Sequence, residues 1–154
     1  MSTEDNKALV RRLFEEVLNQ GNFAVFDELY APTFIFHEPA FPQVRTREDD
    51  KRWLMESRSA FPDIHITIED LIAEGDQVVV RFTARGTNTR DTVAPGPHPA
   101  TSKQYTVTGI VIARVANGQF VEMWHQVDHL GWRQQLGLIP APGQESKEQR
   151  RVMP

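Results

Sequence analysis

The segment VEMWHQVDHLGWRQQLG, residues 121–137, places a histidine and an aspartate three positions apart, at His125 and Asp128. An imidazole has an ordinary pKa of about 6.5, so it can accept or release a proton near neutral pH. A carboxylate can act as a base or, at the start of a helix, accept hydrogen bonds from backbone N–H groups. Both residues are therefore candidates for acid–base chemistry.

Side-chain alternation separates the two residues if 120–128 form a strand. His125 then shares its face with apolar residues, which are Val121, Met123 and Val127. This pattern is typical of a strand that faces an apolar pocket with a single polar group inside it. Two interpretations of His125 stay open: it transfers a proton in that pocket, or it is a core histidine hydrogen-bonded to a carbonyl or hydroxyl.

Asp128 falls on the opposite face and directly precedes HLGWRQQLG, where we predict a helix. Its carboxylate would there accept a hydrogen bond from the first helical turn, which contributes about 1 kcal/mol to stability. We favour this capping role. Asp128 remains a catalytic candidate only if the strand bends toward the pocket.

His37 and Glu38, in FIFHEP at residues 34–39, form a second candidate cluster. A pocket His37 together with His125 would make a two-imidazole site that holds a carbonyl and moves an adjacent proton. Two imidazoles without a nearby carboxylate do not make a convincing zinc or iron site, so we predict no metal. Glu38, at a strand end beside a proline, is expected in solvent.

The elements that position these residues follow from periodicity. Helical spacing predicts three helices before residue 61, namely an N-terminal helix ended by Gly21, a short one over 23–30 and one over 45–60. Alternation predicts strands over 34–37, 65–73, 78–84, 105–115 and 120–127, the last two joined by Asn117-Gly118. Helices followed by long antiparallel strands indicate an α+β fold, in which a curved sheet half-covered by helices leaves a pocket.

Composition limits the function classes. The chain has 154 residues and a net charge of −4, without a basic stripe, so we expect no nucleic-acid partner. It contains no cysteine, which excludes disulfides and thiolate chemistry. Apolar runs fall short of the roughly 20 residues that span a bilayer, and the acidic N-terminus is unlike a secretory signal. We therefore expect a cytoplasmic protein with no membrane contact.

Four segments in order resemble the SnoaL-like polyketide cyclases, also called ester cyclases. They are FHEP (36–39), AFPDIHITIEDLIAEGDQVVVRFTARGT (60–87), PATSK (99–103) and NGQFVEMWHQVDHLGWRQQLG (117–137). The resemblance covers about residues 8 to 140. It implies the cone-shaped barrel shared with nuclear transport factor 2, with three N-terminal helices on the concave face of a mainly antiparallel sheet and a short C-terminal helix. It also implies a homodimer.

The same resemblance implies a mechanism. In characterised cyclases of that family, a pocket aspartate acts as acid and base in an intramolecular aldol closure, without a metal or an organic cofactor. The resemblance places that aspartate at the position of His125, its histidine neighbour near Val111, and a polar residue of the first strand at His37. The pocket is expected to be lined by Trp53, Phe61, Phe82, Val111, Met123 and Trp124, although residues of these types are also ordinary core.

Residues 1–140 are therefore predicted to form one domain, and residues 141–154 a polar, flexible tail. The leading hypothesis is a cofactor-independent cyclase or isomerase that acts on a hydrophobic carbonyl compound, with His125 as base and His37 on the carbonyl oxygen. The alternative is a binding or assembly protein that kept the fold and lost the chemistry. An epoxide-type hydrolase comes third, because the aspartate–arginine–aspartate set that it needs cannot be assembled from the predicted strands.

Overall fold

The computed structural model describes residues 2–93 and 95–144, which form four α-helices, one π-helical segment and five strands. The helices are α1 (Thr3–Arg12), α2 (Phe23–Leu29), α3 (Arg47–Ala60) and α4 (His129–Gln135), and the π-helical segment (Leu13–Asn19) continues α1. The strands are β1 (Tyr30–His37), β2 (His65–Glu74), β3 (Gln77–Thr87), β4 (Gln104–Ala116) and β5 (Gln119–Val127). The predicted α+β class is confirmed.

Capping boxes start the two long helices. Ser2 accepts a hydrogen bond from the Asp5 N–H at 3.0 Å, and the Asp5 carboxylate accepts one from the Ser2 N–H. Thr46 and Asp49 make the same reciprocal pair at the start of α3. Each pair satisfies two backbone N–H donors that the helix cannot satisfy itself. These local residues therefore determine where α1 and α3 begin.

The five strands form one curved, mixed sheet in the order β1-β5-β4-β3-β2. Four consecutive strands pair antiparallel, whereas β1 pairs parallel with β5. β1 and β2 are the two edges, so the sheet does not close into a complete barrel. In the tight turn between β4 and β5, Asn117 and Gly118 both have positive φ, 53° and 74°, as the predicted Asn-Gly hairpin requires.

The inner face of the sheet packs against the helices, and the core lies between them. Alternate residues of β3, Val78, Val80 and Phe82, are buried, and alternate residues of β4 continue the same layer. Side chains from the π-helical segment, Phe14 and Val17 among them, cover this layer. Full burial of each such side chain is worth about 1.5–3 kcal/mol, so this layer holds the sheet curved around the interior.

No helix among residues 2–93 and 95–144 is long and apolar enough to cross a membrane. Of the predicted flexible tail, 141–154, residues 145–154 lie outside the described part of the chain.

Asp128 caps α4, as the sequence indicated. Its Oδ1 accepts a hydrogen bond from the Gly131 N–H at 2.8 Å. A β-carbon at position 131 would overlap the Asp128 carboxylate, so the glycine leaves room for the cap. Asp128 is exposed and is not among the residues that line the interior cavity.

We expect Asp128→Ala to lower the free energy of unfolding by about 1 kcal/mol, because the first turn of α4 loses its side-chain acceptor. Urea denaturation measures the change. Asp128→Asn is the matched control and should retain most of the stability, since its amide oxygen can still accept. Equal losses in the two variants would show that the charge, and not the hydrogen bond, stabilises the helix.

Candidate functional site

A cavity of about 120 Å³ lies between the helices and the inner face of the sheet. Its wall is almost entirely apolar and rich in aromatic rings. Five of the six residues predicted to line a pocket do line this cavity: Trp53, Phe61, Phe82, Val111 and Met123. Their role in holding a substrate stays a prediction.

His125 is on the cavity wall, on the inward face of β5. Its side chain is 13% exposed. The ring lies against two phenylalanines, with ring centroids 5.5 Å from Phe36 and 6.0 Å from Phe82, the latter nearly parallel. Val111, its direct partner on β4, lines the cavity beside it. The sequence therefore placed this imidazole correctly among apolar neighbours.

Glu38 is the partner that the sequence analysis missed. Its Oε2 is hydrogen-bonded to Nδ1 of His125, and its side chain is only 2% exposed. The other oxygen, Oε1, accepts from the Ala40 N–H at 3.0 Å and lies 3.4 Å from Nε2 of His129. The expectation that Glu38 is solvated was wrong, because one carboxylate is buried between two imidazoles.

The alternation of β1 explains why Glu38 points inward. Phe34 and Phe36 are buried, and Glu38, two residues further on, continues the same face. The parallel register with β5 pairs Phe36 with Met123, so the inward position two residues further along each strand brings Glu38 beside His125. The inward alternation is visible in the sequence as F-x-F-x-E at residues 34–38. The proline after Glu38 made Glu38 look like a residue beyond the end of the strand.

The environment of Glu38 fixes its charge. Burial would raise the pKa of this carboxyl, but the hydrogen bond with His125, the interaction with His129 and the Ala40 N–H lower the pKa to about 2. Glu38 is therefore ionised at neutral pH. A carboxylate on Nδ1 sets the tautomer and orientation of the His125 ring, and leaves Nε2 as its other functional nitrogen.

His37 lies outside this site. It is on the outer face of β1, 43% exposed, where Nε2 is 2.8 Å from Oε2 of Glu122 and the ring stacks on Trp124 at 5.3 Å. The prediction that His37 and His125 share a pocket was wrong. The face of β1 that carries the phenylalanines points inward, so His37, on the other face, points outward. Trp124 follows the same alternation and does not line the cavity, which corrects its predicted place in the pocket.

A second ionisable pair on the cavity wall also escaped the sequence analysis. Asp50 of α3 is 3% exposed, and its carboxyl interacts with the hydroxyl of the buried Tyr30. Burial raises the pKa of Asp50 to about 7, although the interaction with the Tyr30 hydroxyl opposes the shift. The available signal was helical spacing, because Asp50 and Trp53 are one turn apart on the buried side of α3.

Among the described residues, histidines and carboxylates do not gather in groups of three or more that could hold a metal ion.

Comparison with known proteins agrees with this architecture. Residues 8–136 match the family model of the SnoaL-like polyketide cyclases. The chain belongs to the SnoaL-like polyketide cyclase family. No curated protein sequence matches the chain.

Solved structures of similar proteins superpose over most of the chain. TsrD from Streptomyces laurentii is 26% identical, with a TM-score of 0.78 over 90% of this chain and 99% of that one. IdmH from Streptomyces antibioticus, a proposed polyketide cyclase, is 28% identical, with a TM-score of 0.74 over 86% and 98%. A proposed polyketide cyclase from Acidithiobacillus ferrooxidans is 29% identical, with a TM-score of 0.75 over 90% and 99%. The family and these structures support a cyclase type of function.

The raised pKa of Asp50 makes stability depend on pH. A folded-state pKa of about 7, above the ordinary value of 3.8, gives stability that is full below pH 4 and is lost as the pH rises through about 7. We expect the free energy of unfolding of the wild type to fall by a few kcal/mol between these limits relative to Asp50→Asn, which has no proton to lose. Urea denaturation across this pH range measures the difference.

Glu56→Gln, which removes an exposed carboxylate from the same helix, is the control for that experiment and should follow the wild type. Parallel pH profiles for wild type and Asp50→Asn would mean that Asp50 titrates normally.

Proposed function

We propose that this protein is a cyclase or isomerase that binds a small carbonyl compound in the cavity and moves a proton with His125. The observation that supports this most directly is the hydrogen bond between His125 and the buried Glu38 at the wall of an apolar cavity. The resemblance places the family's catalytic aspartate at His125. In this member the base would be an imidazole, and the carboxylate would come from Glu38, directly after β1.

The proposed step is a balanced proton transfer. Nε2 of His125 takes a proton from the carbon next to a carbonyl, and the electron pair of the C–H bond forms an enolate. In a cyclisation, the enolate carbon attacks a second carbonyl of the same molecule, and the imidazolium returns its proton to the new alkoxide. In an isomerisation, the proton returns to a different carbon. The substrate neither gains nor loses atoms in either route, and neither route requires an oxidant or a reductant.

The surroundings of His125 suit this step. The imidazolium that forms is hydrogen-bonded to the ionised carboxylate of Glu38, which stabilises its positive charge. Phe36 and Phe82 lie against the ring, and the low-dielectric environment that they provide strengthens this electrostatic contact. None of the described residues that line the cavity is an arginine, which counts against the epoxide-type hydrolase.

Proton exchange provides a test that needs no knowledge of the natural substrate. With para-ethylacetophenone in deuterated water, we expect the wild type to catalyse exchange of the protons next to the carbonyl, followed by NMR. His125→Gln should reduce this rate by roughly 10²- to 10⁴-fold, the usual contribution of general base catalysis. The glutamine amide can still donate to Glu38, so the carboxylate is not left unpaired.

His37→Gln is the matched control, since it removes a histidine from the outer face and should leave exchange unchanged. Glu38→Gln should bind the ketone with similar affinity but exchange its protons more slowly, because the ring loses its charged partner. Binding by the wild type without exchange would favour a binding protein over an enzyme. Exchange that survives in His125→Gln would exclude this residue as the base.

We also propose that two copies pair through the outer face of the sheet. An outward row crosses all five strands in register: Ile72, Val79, Ile112, Trp124 and His37. Ile72 and Ile110, also on this face, are exposed at 63% and 48%. Large apolar side chains exposed among charged ones on one face can contribute to an interface between subunits.

Sedimentation velocity tests the pairing. The wild type should sediment as a dimer, and Val79→Glu should shift it to a monomer, because a carboxylate in the centre of the row would lose its water when the two faces meet. Circular dichroism should show the same fold for both proteins. A monomeric wild type at micromolar concentration would contradict the proposal.

A further inference from the structure

Proton removal at His125 leaves the carbonyl oxygen of the substrate in need of a partner. That oxygen gains negative charge as the neighbouring carbon loses its proton, and an apolar cavity stabilises such a charge poorly. Sequence analysis assigned this role to His37, which the structure places on the outer face of the sheet. The partner therefore has to come from another polar group on the cavity wall.

Asp50 supplies the single carboxyl among the described residues that line the cavity. The other ionisable groups on this wall are the phenols of Tyr30 and Tyr105 and the imidazole of His125, while the lining residues from the π-helical segment, β2 and β3 are apolar. Lysine and arginine are absent from these lining residues, so a cation on the wall does not hold Asp50 in its ionised form. A large fraction of the molecules therefore carries a proton on this carboxyl at neutral pH, in line with its pKa of about 7.

Contacts through Tyr30 place the Asp50 carboxyl close to His125. The Tyr30 hydroxyl interacts with Asp50 and lies 3.9 Å from Sδ of Met123 on β5. Met123 and His125 both line the cavity and are two residues apart on this strand, a spacing of about 7 Å. A carbonyl and its neighbouring carbon, hydrogen-bonded at the oxygen and in contact with a base at the carbon, span roughly 8 Å. One small ketone can therefore reach both groups.

The two buried carboxyls have opposite environments. Glu38 is buried next to the imidazoles of His125 and His129 and stays ionised, with a pKa of about 2. Asp50 is buried next to a phenol and apolar side chains, with a pKa of about 7. Carboxyls whose environments separate their pKa values in this way can divide the work, since one supports the base and the other donates a proton.

We propose that Asp50 is the general acid of the cavity and protonates the carbonyl oxygen of the substrate while His125 removes the proton from the neighbouring carbon. The O–H bond of Asp50 breaks and an O–H bond forms on the substrate, which becomes a neutral enol. When the enol carbon forms its new bond, the enol proton returns to the Asp50 carboxylate. The imidazolium then gives up its proton to the new alkoxide or to carbon, so both residues regain their starting states. This inference rests on the proposed function for the role of His125.

The pH dependence of proton exchange tests this role. Exchange into para-ethylacetophenone in deuterated water is followed by NMR from about pH 6 to pH 9, with the enzyme-free rate subtracted. Above a midpoint near 7, the wild type should lose about tenfold in rate per pH unit, because Asp50 loses the proton that it donates. Asp50→Asn has no such proton, so it should exchange roughly 10²-fold more slowly at neutral pH and show no decline toward pH 9. Circular dichroism at each pH should show that both proteins remain folded.

Calorimetry of ketone binding gives a second reading that does not depend on catalysis. At about pH 8, where most Asp50 is ionised, binding should take up a fraction of a proton, because only the protonated carboxyl can donate to the carbonyl. The binding enthalpy in two buffers with different ionisation enthalpies measures this uptake. Asp50→Asn should take up none and should bind the ketone within about threefold of the wild type at neutral pH, since its amide also donates. Glu56→Gln, on the exposed side of α3, is the matched control and should follow the wild type in both experiments.

A decline in rate above pH 7 that persists in Asp50→Asn would overturn the inference, and so would equal proton uptake by the two proteins. Asp50 would then be a structural partner of Tyr30. The proposed function fails on a different reading, which is exchange that survives in His125→Gln. Loss of exchange in His125→Gln with a wild-type profile in Asp50→Asn therefore removes the role of Asp50 alone, and the reverse result removes the role of His125 alone. A wild type that neither binds the ketone nor exchanges its protons would overturn both.

Discussion

The buried carboxylate of Glu38 is the interaction on which the site depends. An ionised group with almost no exposure is tolerated only when charges and hydrogen bonds replace its water. Here His125, His129 and the Ala40 N–H do so, and they come from β5, α4 and the turn after β1. One carboxylate thus connects three elements and holds an imidazole at the cavity wall. Loss of any one partner leaves a buried charge less compensated.

Other parts of the cavity wall come from β1, at one edge of the sheet, and from the helix α3. β1 brings phenylalanines to the inner face and is followed directly by Glu38, while α3 brings Asp50 to the cavity wall. The cavity therefore has a few ionisable side chains at a wall that is otherwise almost entirely apolar. Such a cavity can bind an apolar ligand and orient it through a small number of polar contacts.

The sequence predicted the fold well because its signals are local. The Asn-Gly turn and period-two alternation each depend on a few neighbouring residues, and the structure confirms them. The position of His125 and the cap at Asp128 were also accessible in this way. The site was predicted less well because it joins distant segments: which face of β1 turns inward depends on its pairing with β5. Asp50 was missed because a carboxylate in the first turn of a helix is usually a solvated one.

The parallel pairing of β1 with β5 also determines when the site forms. Glu38 and His125 are 87 residues apart in the chain, and β1 is joined to the sheet through β5 alone. Closing a chain segment of this length costs conformational entropy, and the β4–β5 hairpin, which is local in sequence, incurs less of it. Glu38 can meet His125 only when β1 pairs with β5. The carboxylate therefore loses its water in the same step that brings it to the imidazole.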